Sequence, residues 1–208
     1  MGSRACTATR SWSVELRSGG VVLRPLRRRD RSAWRDARER NRQWLQRWDA
    51  TSPEGTHPPR TFGSMVRHSQ RQAAAGLSMP FVIEVDDRLV GQVTVNNVIR
   101  GSAQFASVGY WIDEAYAGRG ITTRALAMVI DHCLFVARLH RVEVAIRPEN
   151  TASLRVVEKL GIREYGYAPR YLHIDGDWRD HRLFAVTVEE VPGGILKRLD
   201  QPTAGETS

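Results

Sequence analysis

Apolar residues recur along this 208-residue chain with two different periods, and the changes between them predict strands and helices in mixed order. Stretches rich in β-branched and aromatic residues predict strands at 21–26, 79–85, 89–95 and 103–113, and the middle two form a hairpin. Pro25 fits a strand end or a sheet edge, because it has no N–H to donate to a neighbouring strand.

Helical spacing of the apolar residues predicts two helices before the hairpin. The first begins at an N-cap, Asp30, and extends to about residue 48, and the second covers 61–75. Trp34, Trp44 and Trp48 lie at helical spacing in the first of them. Core packing is the ordinary role of such a stripe. Two other roles remain open, one wall of a substrate cleft and, with the arginines of 24–47, a surface for RNA.

The second half of the chain continues the alternation. An amphipathic helix is predicted over 122–138, followed by a strand at 142–146. The next helix ends at Leu160, with Asn150 as its N-cap and Gly161 just past its end. The remaining predicted elements are the two strands of a closing hairpin, at 165–174 and 178–188.

The resulting order, β, α, α, β, β, β, α, β, α, β, β, indicates the α+β class. The helix at 122–138 connects two strands that are expected to lie parallel, whereas the hairpins favour antiparallel neighbours elsewhere. We therefore expect one domain over 1–191, with a mixed, mostly antiparallel twisted sheet flanked by helices. Residues 192–208 have little to bury and are expected to form a disordered tail, and residues 1–13 are expected to fray.

Composition restricts the classes of function. Hydrophobic residues make up 41% of the chain and charged residues 26%, as in ordinary globular domains. The chain has no run of eighteen apolar residues and no signal-peptide core, so a soluble, cytoplasmic protein is expected. Cys6, Cys133 and the six histidines form no ligand spacing, so no metal is expected, and Cys133 is interpreted as a small buried hydrophobe. The net charge of +8 suits an anionic partner, but it comes almost wholly from arginine and decides little alone.

A glycine turn at 117–122 joins the strand at 103–113 to the helix at 122–138. Gly118 and Gly120 would let an anion approach bare backbone amides, and the N-terminus of the helix favours negative charge. An ordinary strand-to-helix connection needs the same residues, so the turn alone leaves an anion site and a plain connection both open.

Three separated segments of the chain stand in a fixed order: Gly109-Tyr110-Trp111-Ile112-Asp113-Glu114 with Gly118-Arg119-Gly120-Ile121, then Arg147-Pro148-Glu149-Asn150-Thr151-Ala152-Ser153 through Gly161, then Tyr171 with Asp175-Gly176-Asp177-Trp178-Arg179-Asp180-His181. Together they resemble the GNAT N-acetyltransferase superfamily, and within it the RimJ/RimL-like ribosomal-protein-alanine acetyltransferases. The resemblance covers about residues 20–190 and implies a GNAT-like domain with a splayed parallel strand pair at its centre. Ala117 departs from the pattern, since the superfamily's turn has Gln or Arg there.

The resemblance implies acetyl-CoA as the cosubstrate. Its pantetheine arm would pair with the backbone of Trp111 and Ile112 where the strands splay, and Asn150 would reach the same arm. Core packing for Trp111 and a plain helix cap for Asn150 are the alternatives. Arg124 or a turn arginine would add a contact to the pyrophosphate, which would rest on the amides of Gly118, Arg119, Gly120, Ile121, Thr122 and Thr123.

For the chemistry, the resemblance implies a proton donor to the leaving thiolate. Ser153 is the first candidate, although a Ser in a first helical turn is often only a capping group, and Tyr171 is the alternative acid. The base stays unassigned: related enzymes have a Glu where this chain has Ser107, and Glu84, Asp113 or a bound water remain open. An α-amine has a pKa near ~8 and is partly neutral at cellular pH, so a weak base suffices.

The activity that the resemblance implies is acetyl transfer to a primary amine, foremost the N-terminal α-amine of a ribosomal or other protein. Two alternatives remain open. One is a small-molecule amine as the acceptor, and the other is an RNA- or ribosome-binding protein that keeps the fold without catalysis. No membrane partner is expected. The segments expected to line the acceptor site, 30–75 and 165–178, carry no readable specificity code.

Overall fold

A single eight-stranded sheet organises the computed structural model, which describes residues 14–54 and 61–200. The strand order is β1-β2-β3-β4-β5-β6-β8-β7, and only β5 and β6 pair in parallel. The predicted α+β class with a mixed, mostly antiparallel sheet is therefore confirmed. The strands are β1 (Leu16–Ser18), β2 (Val21–Pro25), β3 (Met79–Val85), β4 (Arg88–Ile99), β5 (Phe105–Ile112), β6 (Arg141–Ile146), β7 (Arg163–Ile174) and β8 (Asp177–Thr187).

Helices flank this sheet. The predicted segment 30–48 is broken into two helices at Asn41, whose side-chain amide donates back to the Ala37 carbonyl at 2.8 Å. The fourth helix continues beyond Asp131 as a π-helical turn to Val136. The helices are α1 (Arg31–Arg40), α2 (Arg42–Gln46), α3 (Phe62–Ala74), α4 (Ile121–Asp131), α5 (Thr151–Lys159) and α6 (Lys197–Asp200).

Asp30 occupies the predicted N-cap position of α1, but its side chain makes no hydrogen bond to the first-turn amides of that helix. Its carboxylate instead accepts two hydrogen bonds from the buried guanidinium of Arg24, at 2.8 and 3.0 Å, and one from the Arg27 N–H at 2.7 Å. A buried guanidinium needs a carboxylate more than a helix end needs a cap, because an unpaired buried charge costs several kcal/mol. Pro25 ends β2, as predicted.

Alternation along the strands separates two cores on opposite faces of the sheet. The larger one lies under α4 and α5, and includes Leu126 and Cys133 of the helical face predicted to point inward. Burial raises the pKa of the Cys133 thiol to about 12, which agrees with its interpretation as a small hydrophobe. The smaller core lies under α1 and α3 on the other face, where Trp34 and Trp111 pack against it.

The segment after β8 differs from the predicted tail. Ile195 is fully buried in the larger core, and the backbone N–H groups of Ile195 and Leu196 donate to the Asp131 carboxylate at 2.6 and 3.1 Å. The side chains of Ile195, Leu196 and Leu199 and a carboxylate on α4 thus hold residues 192–200, although the composition of this segment is polar. Residues 201–208 and the predicted frayed segment 1–13 lie outside the described residues. No helix in the described part of the chain is long and apolar enough to cross a membrane.

Candidate functional site

A gap opens in the middle of the sheet between β5 and β6. The two strands pair only from Phe105–Ser107 to Arg141–Glu143. Beyond that point β5 stays paired with β4 as far as Ile112, and β6 stays paired with β8 as far as Ile146. The predicted splayed parallel pair is therefore present, with the inner edges of two otherwise intact strands facing each other.

The backbone groups that face this gap belong to Tyr110 and Ile112. The Asp113 N–H donates to the Val90 carbonyl of β4 at 2.7 Å, and the Trp111 carbonyl also points at β4, so close to Gly91 that a side chain there would collide with it. Because peptide groups alternate along a strand, those of Tyr110 and Ile112 point the other way. Trp111 was predicted to pair with the pantetheine arm, but its peptide carbonyl belongs to the ladder with β4.

Helix α2 already occupies one of the free carbonyls. The indole Nε1 of Trp44 donates to Ile112 O at 3.2 Å. The neighbouring end of β5 is held as well, since the guanidinium of Arg40 donates to the Asp113 carboxylate at 2.6 Å and Asn41 Oδ1 accepts from the Glu114 N–H at 2.9 Å. The three predicted core tryptophans of this segment, Trp34, Trp44 and Trp48, are half-buried, and Trp34 packs against the smaller core, while the cleft-wall role of the segment stays a prediction.

The glycine turn leads into an uncapped helix N-terminus. Gly118 and Gly120 have φ of 75° and 76°, a region that L side chains avoid, and no atom lies within 4 Å of a Cβ built on either. Gly120 occupies the N-cap position of α4 without any side-chain cap, so the first-turn amides remain available to an anion. The predicted residues Ile121, Thr122 and Thr123 form that first turn.

Basic side chains surround the same helix end. A depression of about 250 Å³ is lined by Arg119, Arg124 and Lys159 together with Gly120 and Leu199, and its lining contains no carboxylate. Arg124 is also bonded through Nη1 to Ser18 Oγ at 2.9 Å, which holds its guanidinium against the end of β1. Amides, a helix dipole and three cations suit a diphosphate.

Ser153 and Asn150 meet at the start of α5, beside the gap. Asn150 Oδ1 accepts from the Ser153 backbone N–H at 3.1 Å, so the predicted cap is present and its NH₂ is left for a ligand. The buried hydroxyl of Tyr110 has no hydrogen-bond partner in good geometry among the described residues. Burial raises the pKa of Tyr110 to about 12, and the nearby Ser153 hydroxyl offsets part of that rise. Tyr110 thus remains a proton-bearing hydroxyl.

Tyr171 lies elsewhere, in the hairpin of β7 and β8. It is exposed, at a point where β7 bulges between Ala168 and Leu172, and its ring packs edge-on against His181 with 5.7 Å between centroids. Ser153 and Tyr171 were predicted as alternative acids, and the structure places them in different environments. Ser153 lies with Tyr110, whereas Tyr171 lies with a buried histidine.

Two carboxylates considered as bases have structural partners. Glu84 accepts from Arg24 at 2.9 Å, in a strand two positions away from β5. Asp113 is buried, which would raise its pKa, but hydrogen bonds from Arg40 and from the Ala115 N–H outweigh burial and lower it. Neither group offers a free carboxylate to an amine.

Sequence reasoning missed Tyr110, His181 and Lys159 as site residues. Tyr110 and His181 belong to the segments that resemble the acetyltransferase superfamily, so their positions were visible in the sequence. What set them apart, a buried hydroxyl without a partner and a buried ring beside Tyr171, is visible only in the fold. Lys159 reaches the turn because α5 ends next to α4. Among the described residues, no cluster of three or more His, Cys, Asp or Glu side chains is placed to hold a metal.

Comparison with known proteins identifies relatives of this fold and site. The family model described as the acetyltransferase (GNAT) domain matches residues 21–163. Ribosomal protein uS5-alanine N-acetyltransferase of Escherichia coli K12 is 32% identical over 189 residues, which is 86% of this chain and 94% of that protein. The probable N-acetyltransferase YjcK of Bacillus subtilis is 42% identical over 101 residues, 49% of this chain and 56% of that one.

Solved structures give the same picture. RimJ of Mycobacterium smegmatis, in complex with CoA-disulfide, superposes with a TM-score of 0.84 at 40% sequence identity. The match covers 91% of this chain and 95% of that chain. The similarity therefore extends over the sheet, the helical segment at 31–46 and the closing hairpin together.

Proposed function

Because the chain belongs to the GNAT acetyltransferase family, we propose that it transfers the acetyl group of acetyl-CoA to the N-terminal α-amine of a protein, foremost a ribosomal protein. The observation that carries the acceptor class is the near full-length similarity to the Escherichia coli enzyme named for a ribosomal-protein alanine. Such an acceptor would place the protein's action in the cytoplasm.

The residues around the gap fit acetyl-CoA. The uncapped first turn of α4 and the depression lined by Arg119, Arg124 and Lys159 would take the pyrophosphate. The mycobacterial RimJ was solved with a CoA disulfide, which supports a CoA site in the corresponding fold. The free backbone groups of Tyr110 and the NH₂ of Asn150 would hold the pantetheine arm, which leads the thioester into the gap.

Transfer needs a neutral amine near the thioester carbonyl and a proton for the departing thiolate. Ser153 is the donor we assign, since it lies at the start of α5 with the buried hydroxyl of Tyr110 beside it. The α-amine, with a pKa near ~8, is partly neutral at cellular pH.

The acceptor would enter between the helical segment at 31–46 and the β7–β8 hairpin. These walls are joined to each other: Gln46 Nε2 donates to Asp175 Oδ1 at 2.9 Å, and the Thr51 N–H donates to the His173 carbonyl at 2.8 Å. The entrance is therefore bounded by backbone hydrogen bonds as well as by side chains, which suits an extended peptide terminus.

Several of the arginines in 24–47 that suggested an RNA surface are engaged with carboxylates. Arg24 is buried against Asp30 and Glu84, Arg38 is paired with Asp49, and Arg40 with Asp113. Pairing with local carboxylates removes the phosphate-binding capacity that these arginines suggested.

A panel of acceptors tests the proposal. The protein is incubated with acetyl-CoA and with peptides that begin with Ala or Ser, an N-terminally blocked Ala peptide, spermidine and an aminoglycoside, and the products are analysed by mass spectrometry. We expect one acetyl group on the free α-amine of the Ala peptide and none on the blocked peptide. Acetylation of the small amines alone would replace the peptide acceptor by a small-molecule one.

A further inference from the structure

His181 is a buried imidazole to which neither the fold nor the cosubstrate site assigns a role. It lies in β8 opposite Ala168 of β7 and is only 2% exposed. The last pair between β6 and β8 joins Ile146 to Arg182, so His181 stands one position further, beside the segment that leads from β6 to Asn150. It therefore lies at the end of the sheet where the gap is widest.

The imidazole faces the side of the sheet opposite to Ser153. Phe184 and Val186 of β8 point into the larger core, with α4 and α5. Strand alternation directs His181 to the other face, which also carries Trp111 and the helical segment 31–46. Arg147, its neighbour across the strands, contacts that segment directly, since its guanidinium donates to the Arg47 carbonyl at 2.7 Å.

The hydrogen bond of the ring determines its tautomer. Nδ1 lies 3.0 Å from the carbonyl oxygen of Arg179, and a carbonyl only accepts, so Nδ1 carries the proton. In the neutral ring Nε2 then has a free lone pair. Burial lowers the pKa of His181 below its usual 6.5, so the ring is neutral at pH 7.

Charged groups around the ring act in both directions, so the lowered pKa comes first from burial. Arg147 disfavours the imidazolium, while Glu149 and Asp180 favour it. Asp180 has other partners, because it accepts from the Tyr167 hydroxyl at 2.6 Å and from the Arg170 N–H at 2.7 Å. The remaining neighbours are Arg179, which supplies the carbonyl, and Tyr171, which covers the ring edge-on.

We propose that Nε2 of His181 accepts the proton of the attacking amine. As the amine nitrogen bonds to the thioester carbonyl carbon and the C–S bond breaks, one N–H proton passes to Nε2. On the other face the Ser153 hydroxyl gives its proton to the thiolate while it takes one from a water molecule, and His181 releases its proton to solvent after the product leaves, so both groups return to their starting states. Acid and base thus approach the thioester from opposite faces of the sheet. The inference rests on the acetyl transfer proposed above, but not on the identity of the acceptor.

Two substitutions distinguish whether His181 acts as a base or has only a structural role. Asn in place of His181 retains an N–H for the Arg179 carbonyl but has no basic nitrogen, and His181→Gln is the second variant. Exposed His140, paired with Glu189 at the far end of β6, gives the control His140→Gln. We expect both His181 variants to lower kcat/KM about 100-fold, with unchanged CoA affinity by calorimetry and a wild-type response in the control. Wild-type kcat/KM in His181→Asn would overturn the proposal.

The pH profile gives a second readout. At pH values below the pKa of His181, which burial holds under its usual 6.5, both the amine and His181 must lose a proton, so log kcat/KM should rise with a slope of about two in the wild type and about one in the His181 variants. A slope of two that persists without His181 would assign the second proton to another group. Thermal melting curves of the His181 variants verify that they are folded.

A measurement without turnover distinguishes this inference from the acceptor proposal. Nitrogen-15 NMR of the histidine rings, assigned by the spectrum of His181→Asn, should show a neutral ring protonated at Nδ1 at pH 7. A ring protonated at Nε2 would exclude it as the base even if the wild type is active. An Nδ1-protonated ring in a protein that acetylates no amine would instead refute the proposed function.

Discussion

The indole nitrogen of Trp44 donates a hydrogen bond of 3.2 Å to the carbonyl oxygen of Ile112, and so ties α2 to the last residue of β5. The next two residues of the chain are tied to the same helical segment, Asp113 by Arg40 and the Glu114 N–H by Asn41. The helical segment at 31–46, which we propose as one wall of the acceptor cleft, is thus positioned by the strand that borders the gap. A shift of the end of β5 would displace the helical segment, and a shift of the helical segment would displace the end of β5.

Replacing Trp44 with Phe should affect the acceptor more than the cosubstrate. The ring would still pack, but the bond to Ile112 O would be lost, at a cost of about 1 kcal/mol. We expect the KM for the acceptor to rise several-fold and the KM for acetyl-CoA to change little in steady-state kinetics. Trp34→Phe is the matched control, because it loses an indole hydrogen bond from the same helical segment, but to Gln92 of β4 rather than to the end of β5. Equal rises in both KM values would contradict the cleft-wall role.

Replacing Gly120 with Ala should weaken CoA binding. Gly101 has nearly the same φ, 74° against 76°, and equally open surroundings, so both Ala variants carry a comparable backbone strain of about 1 kcal/mol. Only Gly120 borders the amides of α4. Calorimetry should therefore show lower CoA affinity for Gly120→Ala and wild-type affinity for Gly101→Ala, while both proteins melt at a similar, lowered temperature.

Ser153→Ala should lower kcat while the KM for acetyl-CoA stays near its wild-type value. Alanine keeps the backbone N–H that Asn150 caps, so the start of α5 is preserved and only the hydroxyl is lost. Asn150→Ala provides the contrast, since it removes the cap and about 1 kcal/mol of stability. Unchanged kcat in Ser153→Ala would leave this residue without a role in protonating the thiolate.

Tyr110→Phe tests the buried hydroxyl beside Ser153. Removing a desolvated hydroxyl that lacks a partner should leave the free energy of unfolding at least as large as that of the wild type. If the hydroxyl orients Ser153, kcat should fall despite this unchanged stability. Chemical denaturation and kinetics on the same preparation check both expectations, and a clear loss of stability would indicate a hydrogen bond that Phe cannot make.

Asp113→Asn should loosen the end of β5. Losing the carboxylate leaves the Arg40 guanidinium half-exposed without its partner, which we expect to cost about 1–3 kcal/mol. Folding lowers the pKa of Asp113 from 3.8. The stabilisation that its ionised carboxylate provides is therefore fully present above pH 3.8 and is lost as the pH falls through the lowered pKa. The difference in unfolding free energy between the wild type and the variant should therefore shrink below pH ~4, as followed by denaturation at several pH values. A constant difference would exclude the charge as its source.

The sequence alone was sufficient to predict those elements that depend only on their own residues. The face of α4 that contains Leu126 and Cys133 follows from helical periodicity, and the Asn150 cap and the Gly161 stop are local signals. The break at Asn41 was not readable, because it depends on a side chain bonding back to Ala37 and forward to Glu114. The packing of Ile195 was not readable either, because it is stabilised by the Asp131 carboxylate on a helix that is distant in sequence.

For the candidate site, the sequence did not reveal which way each side chain and peptide group points. The quoted segments contain Tyr110, Trp111 and His181, but the face that each residue occupies depends on strand pairing. The resemblance implied that Trp111 and Ile112 pair with the pantetheine arm, whereas the structure turns the peptide groups of Tyr110 and Ile112 to the gap. The tautomer of His181 likewise depends on a backbone carbonyl that no pattern marks.

The segment that packs Ile195 has a consequence for how the protein is made. The sheet is complete in sequence at Thr187, but Leu199 lines the depression beside Gly120 and α6 follows all the strands. During synthesis, a nascent chain that has emerged through Thr187 can already pair every strand, while its anion depression still lacks this wall and Asp131 still lacks its partners. The depression that we propose for the pyrophosphate is thus completed only when the segment 188–200 has packed.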